Sequence, residues 1–157
     1  MTTGKPDPTS RLRELGHELP PVAAPAGSYV PATRSGNLIF TAGQLPFKDG
    51  DLAFTGKVGD TVSVDDAKEA ARLCALNALA AVAAESGGLN SISRIVKVTG
   101  YVASAPGFTR QPEVLNGASD FLGDVFGEAG LHARSAVGVT ELPLGAPVEV
   151  EILVETG

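Results

Sequence analysis

Hydrophobic positions along the chain change their period several times, and each change marks an element. Ala67, Ala70, Ala71, Cys74, Ala78 and Val82 recur at the spacing of one helix face. Ser63, with Asp66 following it in the manner of a capping box, supplies a start, and Gly87-Gly88 supplies a stop. The pattern predicts a helix over about residues 64–85 whose alanine-rich face lies close against whatever it covers. Leu115, Ala118, Phe121 or Leu122, and Val125 form a second stripe, with Pro112 tolerated in the first turn and Gly127 at the end. This gives a helix over about residues 111–126.

Strand signals surround these helices. Residues 92–104 are rich in β-branched side chains and read as one long strand. Residues 28–33 and 38–41 flank the turn-like Arg34-Ser35-Gly36-Asn37 and predict a hairpin. Residues 133–140 and 148–155, separated by Leu142-Pro143-Leu144-Gly145-Ala146-Pro147, predict a second one. Asp49-Gly50-Asp51 marks a turn in a polar loop with room for a short strand. Upstream, residues 1–9 are polar and proline-punctuated, as in a tail. Ser10 is placed to cap a short helix carrying Leu12 and Leu15 before Gly16. The proline-rich residues 19–27 follow as an extended arm. The organisation expected is an N-terminal tail with a short helix over residues 1–20 and one domain over 21–157.

The order β-β-α-β-α-β-β is that of an α+β fold, a mixed sheet with two helices on one face. Two β-α-β crossovers place parallel pairs within it. Two helices leave the other face of the sheet uncovered. Val98, Val102, Val137 and Val139 are expected there, too apolar for water, so the sheet is expected to be covered by further copies of the chain.

Composition narrows the function. Twelve Lys and Arg against 18 Asp and Glu give a formal charge of −6, which repels a phosphate backbone and argues against nucleic acid as a partner. Apolar runs are broken well before membrane-spanning length and no cleavable signal opens the chain, so a cytoplasmic protein without a membrane partner is expected. Cys74 is the single cysteine and His17 and His132 the only histidines. Neither a multi-ligand metal site nor a phosphate-binding glycine loop is present, and no metal or cofactor is expected. A Ser-His-Asp triad would need one of those histidines beside a serine, and no nucleophile-elbow pattern is present. His132 reads as a packing residue and Cys74 as a small core residue.

Arg134 is the exception. It opens the apolar run Arg134-Ser135-Ala136-Val137-Gly138-Val139, where a permanent charge needs an anion. Two partners satisfy that need equally well: a local carboxylate such as Glu149 or Glu151, or the carboxylate of a ligand held through two parallel N–H···O bonds.

Three segments in order carry a resemblance: residues 36–46, Gly-Asn-Leu-Ile-Phe-Thr-Ala-Gly-Gln-Leu-Pro; then Ala133-Arg134-Ser135-Ala136-Val137; then Leu142-Pro143 with Val148-Glu149-Val150-Glu151. They resemble the YjgF/Rid family, the reactive-intermediate deaminases also known as endoribonuclease L-PSP-like proteins, from about Ala24 to the C-terminus. The resemblance implies a chorismate-mutase-like fold and a homotrimer whose sheets form a central barrel, with ligand clefts between subunits. It implies an enamine/imine deaminase in which Arg134 grips the carboxylate of a small imino acid and Glu149 handles the water. Tyr29, Asn116 and the main chain of Ala136 complete the implied substrate contacts. Ala136 stands where cysteine is frequent in that branch, which excludes a cysteine-dependent step while keeping the carbonyl. A trimer that binds small carboxylates without turnover is the alternative. An endoribonuclease is a third reading, disfavoured by the net charge and the two separated histidines.

Overall fold

The computed structural model describes residues 7–157. The first helix, α1 (Pro8–Glu14), starts inside the segment expected to be a tail, whose residues 1–6 lie outside the described residues. Its cap is Asp7 rather than Ser10: the Asp7 carboxylate accepts from the Ser10 N–H at 2.8 Å. Pro8 costs nothing at the first helical position, where its missing N–H would have had no partner. Leu12 joins the hydrophobic core. Thr9 bonds Asn90, and the Arg11 Nε donates to the Asp124 carbonyl at 2.9 Å, tying this helix to the rest of the domain.

The first hairpin consists of β1 (Ala32–Ser35) and β2 (Leu38–Thr41), with Gly36 at φ 60° in its turn. The upstream strand therefore starts at Ala32, later than its pattern suggests, and residues 28–31 approach it as bends and irregular chain. Two short strands, β3 (Phe47–Lys48) and β4 (Asp51–Leu52), close over Asp49 and Gly50, both left-handed. Helix α2 (Val64–Ser86) is capped by Ser63 Oγ, which accepts from the Asp66 N–H, and it ends at Gly87 with φ 90°. Strand β5 (Ile92–Ala103), helix α3 (Gln111–Phe126), β6 (Ala133–Val139) and β7 (Val148–Thr156) complete the chain.

One five-stranded mixed sheet has the order β1-β2-β7-β5-β6. Here two expectations are corrected: the crossover through α2 makes no parallel pair, because β7 lies between β2 and β5, and β6 and β7 do not form a hairpin. Helix α3 returns the chain so that β6 lies parallel to β5, and β7 then pairs antiparallel with the opposite edge of β5. The connection passes the end of β5, where the Ala103 N–H donates to the Pro147 carbonyl. Adjacent strands are only about 4.8 Å apart, so the residues between Val139 and Val148 easily step over one strand.

Helices α2 and α3 cover one face of the sheet, where Val98, Val102, Val148, Val150, Ile152 and Val154 are buried. Val98 and Val102 therefore belong to the core, not to the uncovered face. Val137 does lie on that face, level with Tyr101 and 46% exposed. Phe40, level with Leu153, joins it at 43% exposure. The alanine face of α2 is buried as expected, and Gly117 of α3 meets the main chain of Lys68 so closely that a Cβ would overlap the Lys68 carbonyl. Cys74 is fully buried, its thiol against the Val148 carbonyl, and burial raises its pKa well above the ordinary thiol value. No helix among the described residues is long and apolar enough to cross a membrane.

Candidate functional site

Strand β6 forms an edge of the sheet, so Arg134 at its start reaches past the sheet to α3. Its Nη1 donates to Asn116 Oδ1 at 2.8 Å and to Ser119 Oγ at 3.2 Å, and its Nη2 donates to the Pro112 carbonyl at 3.1 Å. All three acceptors are neutral. A guanidinium has five N–H groups, and these bonds use three, leaving Nε–H and one hydrogen of Nη2 without a partner among the described residues. None of the ion pairs formed among those residues involves Arg134. Of the two partners open to Arg134 in the sequence, the local carboxylate is thus not taken among the described residues.

The reason is the sheet register. Arg134 stands level with Val98, whose side chain faces the helices, whereas Glu149 stands level with Tyr101 on the other face. Successive side chains of a strand alternate between faces, so Glu149 and Glu151 share the uncovered face. There Tyr101 Oη donates to Glu151 Oε1 at 2.9 Å. Partial burial raises the pKa of Glu149 above the ordinary carboxylate value, and the neighbouring charge of Glu151 adds to the rise. The bond to Glu151, with burial and the two glutamate charges, likewise raises that of Tyr101.

Asn116 and Arg134 are therefore together, and with Ser119 and His132 they line an open cleft of about 720 Å³. Tyr29 is elsewhere. Half-exposed, it accepts a bond from the Ala26 N–H at 3.2 Å and lines a recess of about 150 Å³ with Gly43 and Leu144. The Glu149 carboxylate lies against Gly43, in space that any larger residue there would claim. Ala136 is half-buried two residues beyond Arg134, level with Gly100 on the helix-covered face. One chain thus holds two separate groups: Arg134 with Asn116 and Ala136 at an edge, and Glu149 and Tyr29 near Gly43.

Sequence reasoning missed Ser119 and gave His132 only a packing role. His132 Nδ1 lies 2.6 Å from the Gly130 carbonyl and Nε2 lies 2.9 Å from Ser119 Oγ. The only available signal was the spacing of Asn116 and Ser119, which puts both on one face of α3.

The chain belongs to the family described as "YjgF/chorismate_mutase-like, putative endoribonuclease", whose model matches residues 9–156. Among its relatives is Protein TCP17 of Trypanosoma cruzi, 46% identical over 147 residues, covering 93% of this chain and 92% of that protein. A crystal structure of a protein of unknown function from Agrobacterium tumefaciens is 48% identical with a TM-score of 0.89, covering 96% of this chain and 92% of that one. The crystal structure of E. coli TdcF with bound serine is more distant, at 25% identity and a TM-score of 0.65 over 88% of this chain and 94% of that one.

Proposed function

We propose that this protein is an enamine/imine deaminase that assembles as a homotrimer and holds a small imino acid by its carboxylate on Arg134. The observation that carries this reading is the unspent capacity of Arg134: a permanent cation positioned by three neutral acceptors, with Nε–H and one Nη2–H left for a ligand. That edge of a guanidinium matches a carboxylate bidentately. The bound serine of TdcF, itself a small amino-acid carboxylate, supports the ligand class.

In the reaction, water adds to the imine carbon, the nitrogen gains protons, and the C–N bond breaks to give a 2-keto acid and ammonia. Anchoring the carboxylate fixes the imine carbon beside it. Glu149, with its raised pKa, is suited to pass a proton between water and nitrogen. Since Arg134 and Glu149 occupy opposite faces of one sheet, a site using both takes Glu149 and Tyr29 from a neighbouring copy. The uncovered face, with Phe40 and Val137 exposed, is the surface through which copies associate.

The test is ammonia and keto-acid release from freshly generated imino acids, read against the uncatalysed rate. Release above background that Arg134→Ala abolishes supports the deaminase. Binding of a 2-keto acid without ammonia release would replace it with a non-catalytic carboxylate-binding trimer.

A further inference from the structure

Ser119 and His132 come from different elements, the middle of α3 and the residue before β6, and they meet in the cleft beside Arg134. The proton positions follow from the partners. A carbonyl can only accept, so His132 Nδ1 carries the hydrogen that points at Gly130, and in the neutral ring Nε2 is then the free acceptor. Ser119 consequently donates its hydroxyl hydrogen to Nε2 at 2.9 Å while its oxygen accepts from Arg134 Nη1 at 3.2 Å. This is an arrangement that activates a serine: a base on the hydroxyl and a third group fixing the tautomer of that base, with the Arg134 cation bonded to the serine oxygen itself, where it favours loss of the hydroxyl proton.

We infer that Ser119 is an activated nucleophile and that the cleft has an esterase activity, separate from imine hydrolysis, toward small esters carrying one carboxylate. In the first step Ser119 Oγ bonds to the ester carbonyl carbon as His132 Nε2 takes its proton. That proton passes to the departing alcohol as the ester C–O bond breaks. Water then attacks the acyl-serine, giving one proton to His132 and through it to Ser119, and the carboxylic acid leaves. Ester and water become acid and alcohol, and no other reactant is needed. The choice of a carboxylate-bearing ester rests on the reading of Arg134 as a carboxylate anchor. Asp120 and Asp124 line the same cleft and disfavour more than a single negative charge.

The test has two parts. Whole protein is treated with a fluorophosphonate, and the labelled peptide is identified by mass. Hydrolysis of 4-nitrophenyl hemisuccinate, with one carboxylate, is compared with that of neutral 4-nitrophenyl acetate. Stoichiometric labelling at Ser119 is expected, with a preference for the hemisuccinate that Arg134→Lys removes. Ser119→Ala should reduce hydrolysis to the buffer rate, and His132→Asn should lower it by roughly a hundredfold or more, the usual contribution of a positioned base. Mapping the label on unaltered protein keeps the test decisive even where a variant fails to fold. Unlabelled protein, label elsewhere, or hydrolysis that survives Ser119→Ala overturns the inference. Affinity for a 2-keto acid, measured on the same sample, shows independently whether the carboxylate site stands.

Discussion

Arg134 and Glu149 project from opposite faces of the same sheet, Arg134 level with Val98 toward the helices and Glu149 level with Tyr101 away from them. Within one chain they cannot form the buried pair that their charges would suggest. Each keeps its electrostatic demand: the cation has donors to spare, and the half-buried carboxyl has a pKa raised above its ordinary value.

Replacing Arg134 by lysine should weaken binding of pyruvate or 2-ketobutyrate by roughly tenfold to a hundredfold while leaving the fold intact, since lysine keeps the charge without the planar fork. Among the described residues Arg134 bonds only neutral groups, at the edge of the sheet, so its loss leaves no carboxylate there unpaired. Calorimetric titration together with the melting temperature checks this. Unchanged affinity with a large fall in Tm would make Arg134 an architectural residue.

Gly117→Ala should destabilise the protein by about 1–3 kcal/mol, the usual effect of overpacking. The added methyl meets the Lys68 main chain across the α2–α3 crossing, and a carbonyl in a helix cannot swing aside. Gly43→Ala meets the side chain of Glu149 rather than main chain, and should shift that carboxylate at much smaller cost to stability. Urea unfolding of the two variants should rank them in that order, and equal midpoints would contradict it.

Glu149 gives a pH signature of definite sign. Its folded pKa is raised, so between the unfolded and folded values the native state holds more protons than the unfolded chain, and stability falls as pH rises through that window. Glu149→Gln removes the penalty. The variant should melt higher than the unaltered protein at about pH 7, with the gap closing toward about pH 4, below the ordinary carboxylate value. Scanning calorimetry across that range would expose a gap of the opposite sign.

Assembly through the uncovered face predicts that Val137→Asp yields monomers, because three buried carboxylates would have to be desolvated close together. Light scattering should report a trimer for the unaltered chain and a monomer for the variant. A stable monomer of the unaltered chain at micromolar concentration would end the trimer proposal.

Much of this was legible in the sequence, and the reason is local. The helix start at Ser63 and stop at Gly87, the 111–126 helix and the long strand from Ile92 depend on caps, period and β-branched content that neighbouring residues supply to one another. The family was legible for the same reason, its marks being contiguous runs around Gly43, Arg134 and Glu149. Tertiary structure alone decided which strands are neighbours and which way each side chain faces. The stretch between β6 and β7 permits either a hairpin or a step over β5, and the choice is made by α3 docking beside α2. That choice sets the register, which turns Val98 inward, separates Arg134 from Glu149 and brings His132 to Ser119. A strand's alternation says only that its residues take opposite faces, and it is the burial of one face under helices that says which.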